Sequence, residues 1–177
     1  MIVLLPYVPS LLREETLAAV EEETASVGWD FRKVEIDPND LEHYFRVLND
    51  HWREGDGLTV VEHDIVPPAG AFSQFANCPK HFCAFPYPCS ASPVARNLLA
   101  LGCTRFSKEL VRSIPEAVEL AGEITEDAHN LGKCHWKRMD VRIYRVLIES
   151  FGNYRHLPRY QTHPHGPEAT HLHDYKG

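Results

Sequence analysis

The sequence lacks several features that define common classes of protein. No stretch of its 177 residues approaches the ~20 consecutive apolar residues of a membrane-spanning helix. Neither a G-x-G-x-x-G fingerprint nor a Walker motif is present, so bound phosphates would have to be held by side chains and a metal ion. The chain has 18 Lys and Arg against 25 Asp and Glu, and its net charge of −7 argues against a broad surface for binding nucleic acid.

A disulfide framework and a secretory signal are also missing. Five cysteines at irregular spacing disfavour paired disulfides and fit a reducing compartment. The start of the chain, Met1 to Pro6, has no basic segment and is too short for a signal peptide, so it predicts a first strand instead. We therefore expect one cytoplasmic domain, 1–177, without membrane association, and the sequence implies no protein partner.

The first 64 residues alternate between strand and helix patterns. Apolar runs predict strands at 2–5, 29–36 and 58–61, and amphipathic stripes predict helices at about 10–25, capped by Ser10 and ended by Gly28, and at about 40–52, capped by Asn39 or Asp40. This β-α-β-α-β order predicts an α/β fold with a mixed, mostly parallel sheet flanked by helices. In such sheets, ligands bind beyond the carboxyl ends of the strands.

The third of these strands ends in a cluster of polar residues. The run Leu58 to Val61 predicts a buried central strand, and Glu62, His63 and Asp64 follow it before Pro67 and Pro68 prevent continuation. Buried carboxylates are costly unless they are paired or bound to a cation. Side chains two apart on a strand share a face, so Glu62 and Asp64 could meet one ion while His63 points away. The alternative is a strand end that simply meets solvent.

The pattern changes after residue 66. We divide the chain into a first half, 1–66, a second half, 67–160, and a His-rich tail, 161–177. Ser113 and Glu116 form a capping-box pattern for a helix that closes at Gly122. An apolar stripe from Trp136 to Leu147 predicts a last helix that ends at Gly152, and 154–160 could be a final strand.

Asp140 lies on the flank of this last helix, from which a carboxylate can face the edge of the sheet. The alternative is an ordinary acidic residue in a first helical turn, where the helix dipole favours it. The tail offers neutral imidazoles at His163, His165, His171 and His173. If the tail folds back, these could join Asp64 in a mixed Asp and His shell of the kind that suits Mn²⁺ or Mg²⁺; otherwise it is a solvated or packed tail.

Zinc is a weaker possibility. Four cysteines, Cys78, Cys83, Cys89 and Cys103, could bind Zn²⁺ in principle. Their spacings, C-x4-C followed by C-x5-C and then a longer gap, do not give the two tight pairs of a structural zinc site, and their apolar neighbours indicate buried thiols.

Taken in order, three features resemble the GT-A glycosyltransferases, in a small form like those of bacteriophages. The β-α-β-α-β start ending in Val60 to Asp64 is similar to that family's D-x-D motif, with Glu62 in place of the first Asp. The segment Cys134 to Asp140 is similar to its Glu-Asp element, with Met139 where an acid is common. The late His171-Leu-His173 resembles the C-terminal histidine that completes the metal shell.

The resemblance implies a Rossmann-like GT-A nucleotide-sugar-binding fold in which 1–66 binds the nucleotide, 67–160 carries the acceptor side and the tail closes on the site. It implies a metal-dependent transfer of sugar from a nucleoside-diphosphate sugar, most commonly a UDP-sugar, to an acceptor hydroxyl. Asp140 would be the catalytic base, and Asp64, His171 and His173 the ligands of Mn²⁺ or Mg²⁺. The donor would be bound by these residues: Pro6, Tyr7, Asp37, Glu62 and His63.

The acceptor implied by small phage enzymes is a hydroxymethylated pyrimidine in DNA, and the compartment would then be the host cytoplasm. Negative net charge opposes a DNA acceptor, whereas the arginine-rich region from Arg138 to Arg159 favours one. Two alternatives to an active transferase stay open. One is a zinc-stabilised binding module without catalysis, and the other is a degenerate transferase fold that binds a nucleotide without turnover.

Overall fold

A computed structural model describes residues 1–85, 101–125, 133, 139–152, 163–164 and 170–171. Its strands are β1 (Ile2–Tyr7), β2 (Asp30–Glu35), β3 (Leu58–Val61), β4 (Ile65–Val66), β5 (Phe82–Ala84), β6 (Cys103–Phe106), β7 (His163–Pro164) and β8 (Thr170–His171). Its helices are α1 (Glu14–Val27), α2 (His43–Arg53), α3 (Ala71–Asn77), α4 (Lys108–Ser113), α5 (Ala117–Glu123) and α6 (Met139–Gly152). None of these helices is long and apolar enough to span a bilayer.

The main sheet is mixed and mostly parallel, as the sequence predicts. Its six strands lie in the order β2-β1-β3-β6-β5-β7. Strand β1 pairs in parallel with both β2 and β3, which is the arrangement that the β-α-β-α-β start requires. Strand β6 runs opposite to its neighbours β3 and β5, and β5 and β7 are parallel to each other. A second, two-stranded sheet pairs β4 with β8 in antiparallel fashion.

Both faces of the sheet are covered by helices. On one face, Leu58 and Val60 of β3 belong to a core that includes side chains of α2, α4, α5 and α6. On the other face, Val61 packs in a second core with side chains of α1 and α3. All four residues of β3 are fully buried, which explains why this strand is a continuous apolar run rather than an alternating one.

The helix ends correct several predicted caps. Helix α1 does end at Gly28, which adopts the left-handed conformation with φ 66°. However, α1 begins after Arg13 rather than at Ser10, and α2 begins after Glu42 rather than at Asn39 or Asp40. The predicted capping box is also wrong: Ser113 closes α4 and Glu116 precedes α5 without a side-chain bond. A turn between two short helices carries the same sequence signals as a capped helix start.

A buried carboxylate of α1 holds the start of α3. Glu23 is 7% exposed, and its two carboxylate oxygens accept hydrogen bonds from the backbone N–H groups of Gly70 (2.6 Å) and Phe72 (2.9 Å). Amide groups in the first turn of a helix have no partner within the helix, and the carboxylate supplies one. This contact fixes the chain just after β4, the strand that immediately follows Asp64.

The last helix buries the predicted stripe. Met139, Ile143, Val146 and Leu147 are each at most 5% exposed and belong to the larger core, where α6 packs against α5. The helix ends at Gly152, as expected. Trp136 and the predicted strand 154–160 lie outside the described residues.

Candidate functional site

The carboxyl ends of β1, β2 and β3 lie at one edge of the sheet, because these three strands are parallel neighbours. Pro6 and Tyr7 end β1, Asp37 follows β2, and Glu62 to Asp64 follow β3. The N–H of Ile36 donates to the carbonyl oxygen of Tyr7 at 2.7 Å, which holds the exit of β2 beside the end of β1. The predicted donor-binding residues are thus carried to the same edge.

Backbone hydrogen bonds fix the segment from Glu62 to Asp64. The N–H of Glu62 donates to the carbonyl of Gly102 (3.0 Å), and its carbonyl accepts from the N–H of Ile65 (3.0 Å) in a tight turn. The carbonyl of His63 accepts from the N–H of Arg13 at the start of α1 (3.2 Å). The segment is therefore held from three directions before any ligand binds, and pre-organisation of this kind lowers the cost of binding.

Three carboxylates interact electrostatically at this segment: those of Glu62, Asp64 and Asp140. The hydroxyl of Tyr44, on α2, donates to Oε1 of Glu62 at 3.5 Å. Burial, which is the largest cause, and the negative charges of Asp140 and Asp64 together raise the pKa of Glu62 to about 8, against the opposing effect of the Tyr44 hydrogen bond. Because the charge of Asp140 contributes to the raised pKa of Glu62, the first turn of α6 lies near the end of β3. Among these three acids, Glu62 and Asp140 are the farthest apart in the sequence, yet their side chains interact electrostatically in the structure.

Asp140 occupies the first turn of α6, immediately after the buried Met139. Its side chain is partly exposed, on the flank between the buried stripe and solvent, as the sequence predicts. The negative charge of Asp140 acts on Glu62, in addition to any favourable interaction of Asp140 with the helix dipole. Perturbed carboxyl groups in a cluster are typical of functional sites.

We expect the Glu62→Gln variant to be more stable than the wild type at high pH in a buffer that contains a chelator. The ordinary pKa of 4.5 applies to the unfolded chain, whereas the folded value is about 8. The native state therefore holds an extra proton between these values, and wild-type stability falls as pH rises through that window. Glutamine does not titrate, so its advantage should grow from near zero at pH 4.5 to roughly 1–3 kcal/mol at pH 9, as measured by urea unfolding.

The matched control is Glu22→Gln, since Glu22 is an exposed acid on α1 away from the cluster. This variant should track the wild type at every pH. A Glu62→Gln protein that is less stable than the wild type at pH 9 would show that the carboxylate is stabilised in the fold, and would contradict the mutual repulsion of the three acids.

The predicted nucleoside-binding residues lie on both faces of the sheet edge. The ammonium Nζ of Lys33 lies 5.3 Å from the ring centroid of Tyr7, a cation–π contact. Strand alternation places Tyr7 on the face of Val3, whereas Glu62 follows Val60 on the opposite face. Asp37 is exposed, and its Oδ1 accepts hydrogen bonds from the N–H of Asn39 (2.9 Å) and its Nδ2 (3.2 Å).

The histidines are described to different extents. His63 is partly exposed within the fixed segment. In the small sheet, the backbone of His171 is the register partner of Ile65, so this part of the tail runs beside the residue that follows Asp64. His173 lies outside the described residues. The backbone path therefore brings position 171 to the edge of the sheet that carries the acids.

The contacts that Tyr44 makes with Glu62 and Lys33 makes with Tyr7 were not predicted from the sequence. Tyr44 belongs to the apolar stripe of α2, which predicts a core residue. A partly buried tyrosine hydroxyl usually needs a polar partner, and this requirement was the available signal. For Lys33, an exposed residue in an edge strand, the sequence contains no such signal.

Comparison with known proteins gives a match at the level of fold. No family model matches the chain, and no curated protein sequence matches it. Its structure resembles that of a glycosyltransferase "involved in the glycosylation of the major capsid of PBCV-1", with a TM-score of 0.52 and 13% identity over 92% of this chain and 81% of that chain. It also resembles protein A197 from STIV, with a TM-score of 0.50 and 14% identity over 98% and 85% of the two chains.

The chain has a Rossmann-like α/β fold, similar to the fold of that glycosyltransferase. At this level of identity, the likeness establishes the arrangement of strands and helices and assigns no reaction. Within this fold, the acid cluster lies beyond the carboxyl ends of the parallel strands, which is where ligands bind in open α/β sheets.

The donor atoms at the cluster are compatible with a hard divalent cation. Carboxylate oxygens, such as those of Glu62 and Asp64, are the ligands that Mg²⁺ and Mn²⁺ prefer. Part of the rise in the pKa of Glu62, after the larger effect of burial, comes from the negative charges of Asp140 and Asp64, and a cation would offset this repulsion. Within the described part of the chain, however, no three His, Cys, Asp or Glu side chains are grouped to hold a metal by themselves. Further ligands would have to come from a substrate or from the tail.

The described cysteines do not resemble zinc ligands. Cys78, Cys83 and Cys103 are buried in the core between the sheet and helices α1 and α3. Burial raises the pKa of Cys83 to about 12 and that of Cys103 still higher, which disfavours the thiolate that zinc requires. Cys89 lies outside the described residues.

Proposed function

We propose that the protein is a glycosyltransferase that uses a nucleoside-diphosphate sugar and a divalent metal ion. The observation that carries the proposal is the electrostatic interaction of Glu62, Asp64 and Asp140 at the carboxyl end of β3, in a fold similar to that of a glycosyltransferase. A sugar–phosphate bond breaks with build-up of negative charge on the leaving diphosphate, and an acceptor hydroxyl must lose a proton. The cluster has groups suited to both requirements.

On the donor side, Asp64 would hold Mn²⁺ or Mg²⁺, with His171 or His173 of the tail as a further ligand. The ion would neutralise charge on the diphosphate as a Lewis acid. The fixed turn that carries Asp64 supports this role, because it presents the carboxylate without further ordering. Glu62, His63, Pro6, Tyr7 and Asp37 would bind the nucleoside, for which a UDP-sugar is the first candidate.

On the acceptor side, Asp140 would accept the proton of the attacking hydroxyl. Its partly exposed position beside Glu62 supports the assignment, because a base must reach solvent-borne substrate while staying close to the donor. Glu62, whose raised pKa favours the neutral form in the absence of metal, is less suited to be the base at neutral pH when Asp140 is ionised.

The acceptor is proposed only as a hydroxyl compound, with a hydroxymethylated pyrimidine in DNA as one member of the test panel. The arginines of α6 give little support to DNA as the acceptor. Arg142 is 1% exposed, and the guanidinium of Arg145 donates through Nε to Oε1 of Glu149 at 2.8 Å. These two arginines are therefore not arranged as a phosphate-binding surface. The odd number and irregular spacing of the cysteines fit the proposed location in a reducing cytoplasm.

A thermal-shift experiment tests the proposal. At a concentration about 100 times the dissociation constant, a UDP-sugar with Mn²⁺ should raise the melting temperature by about 5–10 °C, since a ligand that binds only the folded state stabilises it. Without Mn²⁺, or with Mn²⁺ and no nucleotide, the shift should be much smaller. Asp64→Asn should remove the metal-dependent part of the shift, whereas Asp50→Asn, an exposed acid on α2, should retain it.

Metal analysis and a transfer assay on the same protein separate the alternatives. Tightly held zinc, with no response to any nucleotide sugar, would favour a binding module and overturn the proposal. A nucleotide-dependent shift with neither hydrolysis of the donor nor sugar transfer to any member of a panel of hydroxyl acceptors would favour a fold that binds a nucleotide without turnover, and would overturn the proposal.

A further inference from the structure

An unusual hydrogen bond joins the loop after β2 to the first residue of α2. The backbone N–H of Asp37 donates to Nδ1 of His43 at 3.0 Å. Helix α2 begins at His43, whose own N–H donates to the carbonyl of Asp40 at 3.1 Å. The imidazole of the first helical residue therefore accepts the hydrogen bond that closes the turn containing Asp37.

This geometry fixes the chemical state of the ring. Only an unprotonated Nδ1 can accept a hydrogen bond, so the imidazole must be neutral with its proton on Nε2. Protonation at Nδ1 would remove the acceptor and place a positive charge against the amide. The acids near His43 include Asp37 and Asp40, and a hydrogen bond from Arg46 is the main cause that lowers the pKa of Asp40.

The contacts of Asp37 show what the bond accomplishes. Its N–H is held by His43, its carbonyl accepts from the N–H of Asp40 (3.2 Å), and its Oδ1 accepts from Asn39. Among the residues that the structure describes, none bonds Oδ2, and the side chain is exposed. One carboxylate oxygen is thus presented to solvent at the edge of the sheet while every other polar group of the residue is restrained.

We propose that neutral His43 is a positioning residue that orients the Asp37 carboxylate for the nucleoside of the donor, an inference that rests on the proposed function. The carboxylate would accept a hydrogen bond from a ribose hydroxyl or a base N–H. Because the bond lies at the exposed edge, its loss should change the orientation of Asp37 far more than the stability of the fold. Affinity for the nucleoside therefore depends on the protonation of a group that does not contact it.

Two variants of His43 test the inference with UDP as the probe, by calorimetry in the presence of Mn²⁺ and in a chelator. His43→Asn retains an acceptor near the position of Nδ1 but cannot be protonated. His43→Phe retains the ring and has no acceptor. We expect the Asn variant to bind within about 3-fold of the wild type and the Phe variant about 10-fold more weakly, the usual effect of losing one well-oriented hydrogen bond. His51→Phe, on the same helix, is the matched control and should bind normally.

The pH profile distinguishes positioning from a structural role. When the pH is lowered from 8 to 5.5, UDP should bind the wild type more weakly, because a protonated Nδ1 cannot accept the bond, and the His43→Asn profile should be flatter. Glu62 is present in both proteins, so its titration cancels in the comparison. Equal affinity of the Phe variant at pH 8, or identical pH profiles of the wild type and the Asn variant, would overturn the role of His43. Failure of the wild type to bind any nucleoside diphosphate would instead overturn the proposed function.

Discussion

Replacing Asp64 by alanine is expected to lower metal-dependent turnover of a nucleotide sugar by at least about 1000-fold, since several kcal/mol of charge stabilisation are lost with a metal ligand. Affinity for UDP in the presence of Mn²⁺ should fall with it, whereas affinity in a chelator should change little. The measurement combines steady-state kinetics over a range of Mn²⁺ concentrations with calorimetry of UDP binding.

Two results would contradict this role of Asp64. Full activity of the alanine variant would remove the central assignment. Loss of activity that high Mn²⁺ concentrations restore would reduce Asp64 to one replaceable ligand among several. Asp50→Ala is the control, because Asp50 is an exposed acid outside the cluster, and its kinetics should match those of the wild type.

Asp140→Asn is expected to lower kcat by about 100- to 10,000-fold, the usual range for loss of a general base, with UDP affinity within about 3-fold of the wild type. Asparagine fills the same volume and keeps the start of α6 but cannot accept the proton. Because Asp140 contributes to the raised pKa of Glu62, the variant should also lower the pKa of Glu62 towards its ordinary value, which NMR titration in a chelator can follow.

The control for Asp140 is Glu149→Gln on the same helix, where the carboxylate pairs with Arg145 at the exposed surface. Its kcat should be normal. If Asp140→Asn lost UDP affinity in proportion to kcat, the residue would belong to the donor site rather than to the acceptor site. If kcat were unchanged, proton transfer would have to be assigned to a different group.

The agreement between sequence and structure is closest where local patterns decide burial. The run Leu58 to Val61 predicted a central strand, and all four of its residues are buried because helices cover both faces of the sheet. The stripe of α6 predicted which residues face the core, and this left Asp140 on the flank. Helix α1 ends at Gly28 because a glycine, which has no Cβ, adopts φ 66° at little cost.

The agreement is poorest at helix starts and in contacts between distant segments. Ser10, Asp40 and Ser113 have the side chains of helix caps, yet none is the N-cap residue of a helix, because turns use the same residue types. The place of β6 between β3 and β5 was not predicted, since strand order depends on connections rather than on composition.

By itself, the sequence determined the alternation of strands and helices, the buried strand that ends in Glu62 and Asp64, and the face of the last helix on which Asp140 lies. Each of these follows from hydrophobic periodicity, which a short stretch of chain displays completely. Only the tertiary structure brought Asp140 to Glu62, gave Tyr44 a carboxylate partner and set His43 against the amide of Asp37. Such contacts depend on how separate helices pack across a sheet, and that packing is a property of the whole chain rather than of any one segment.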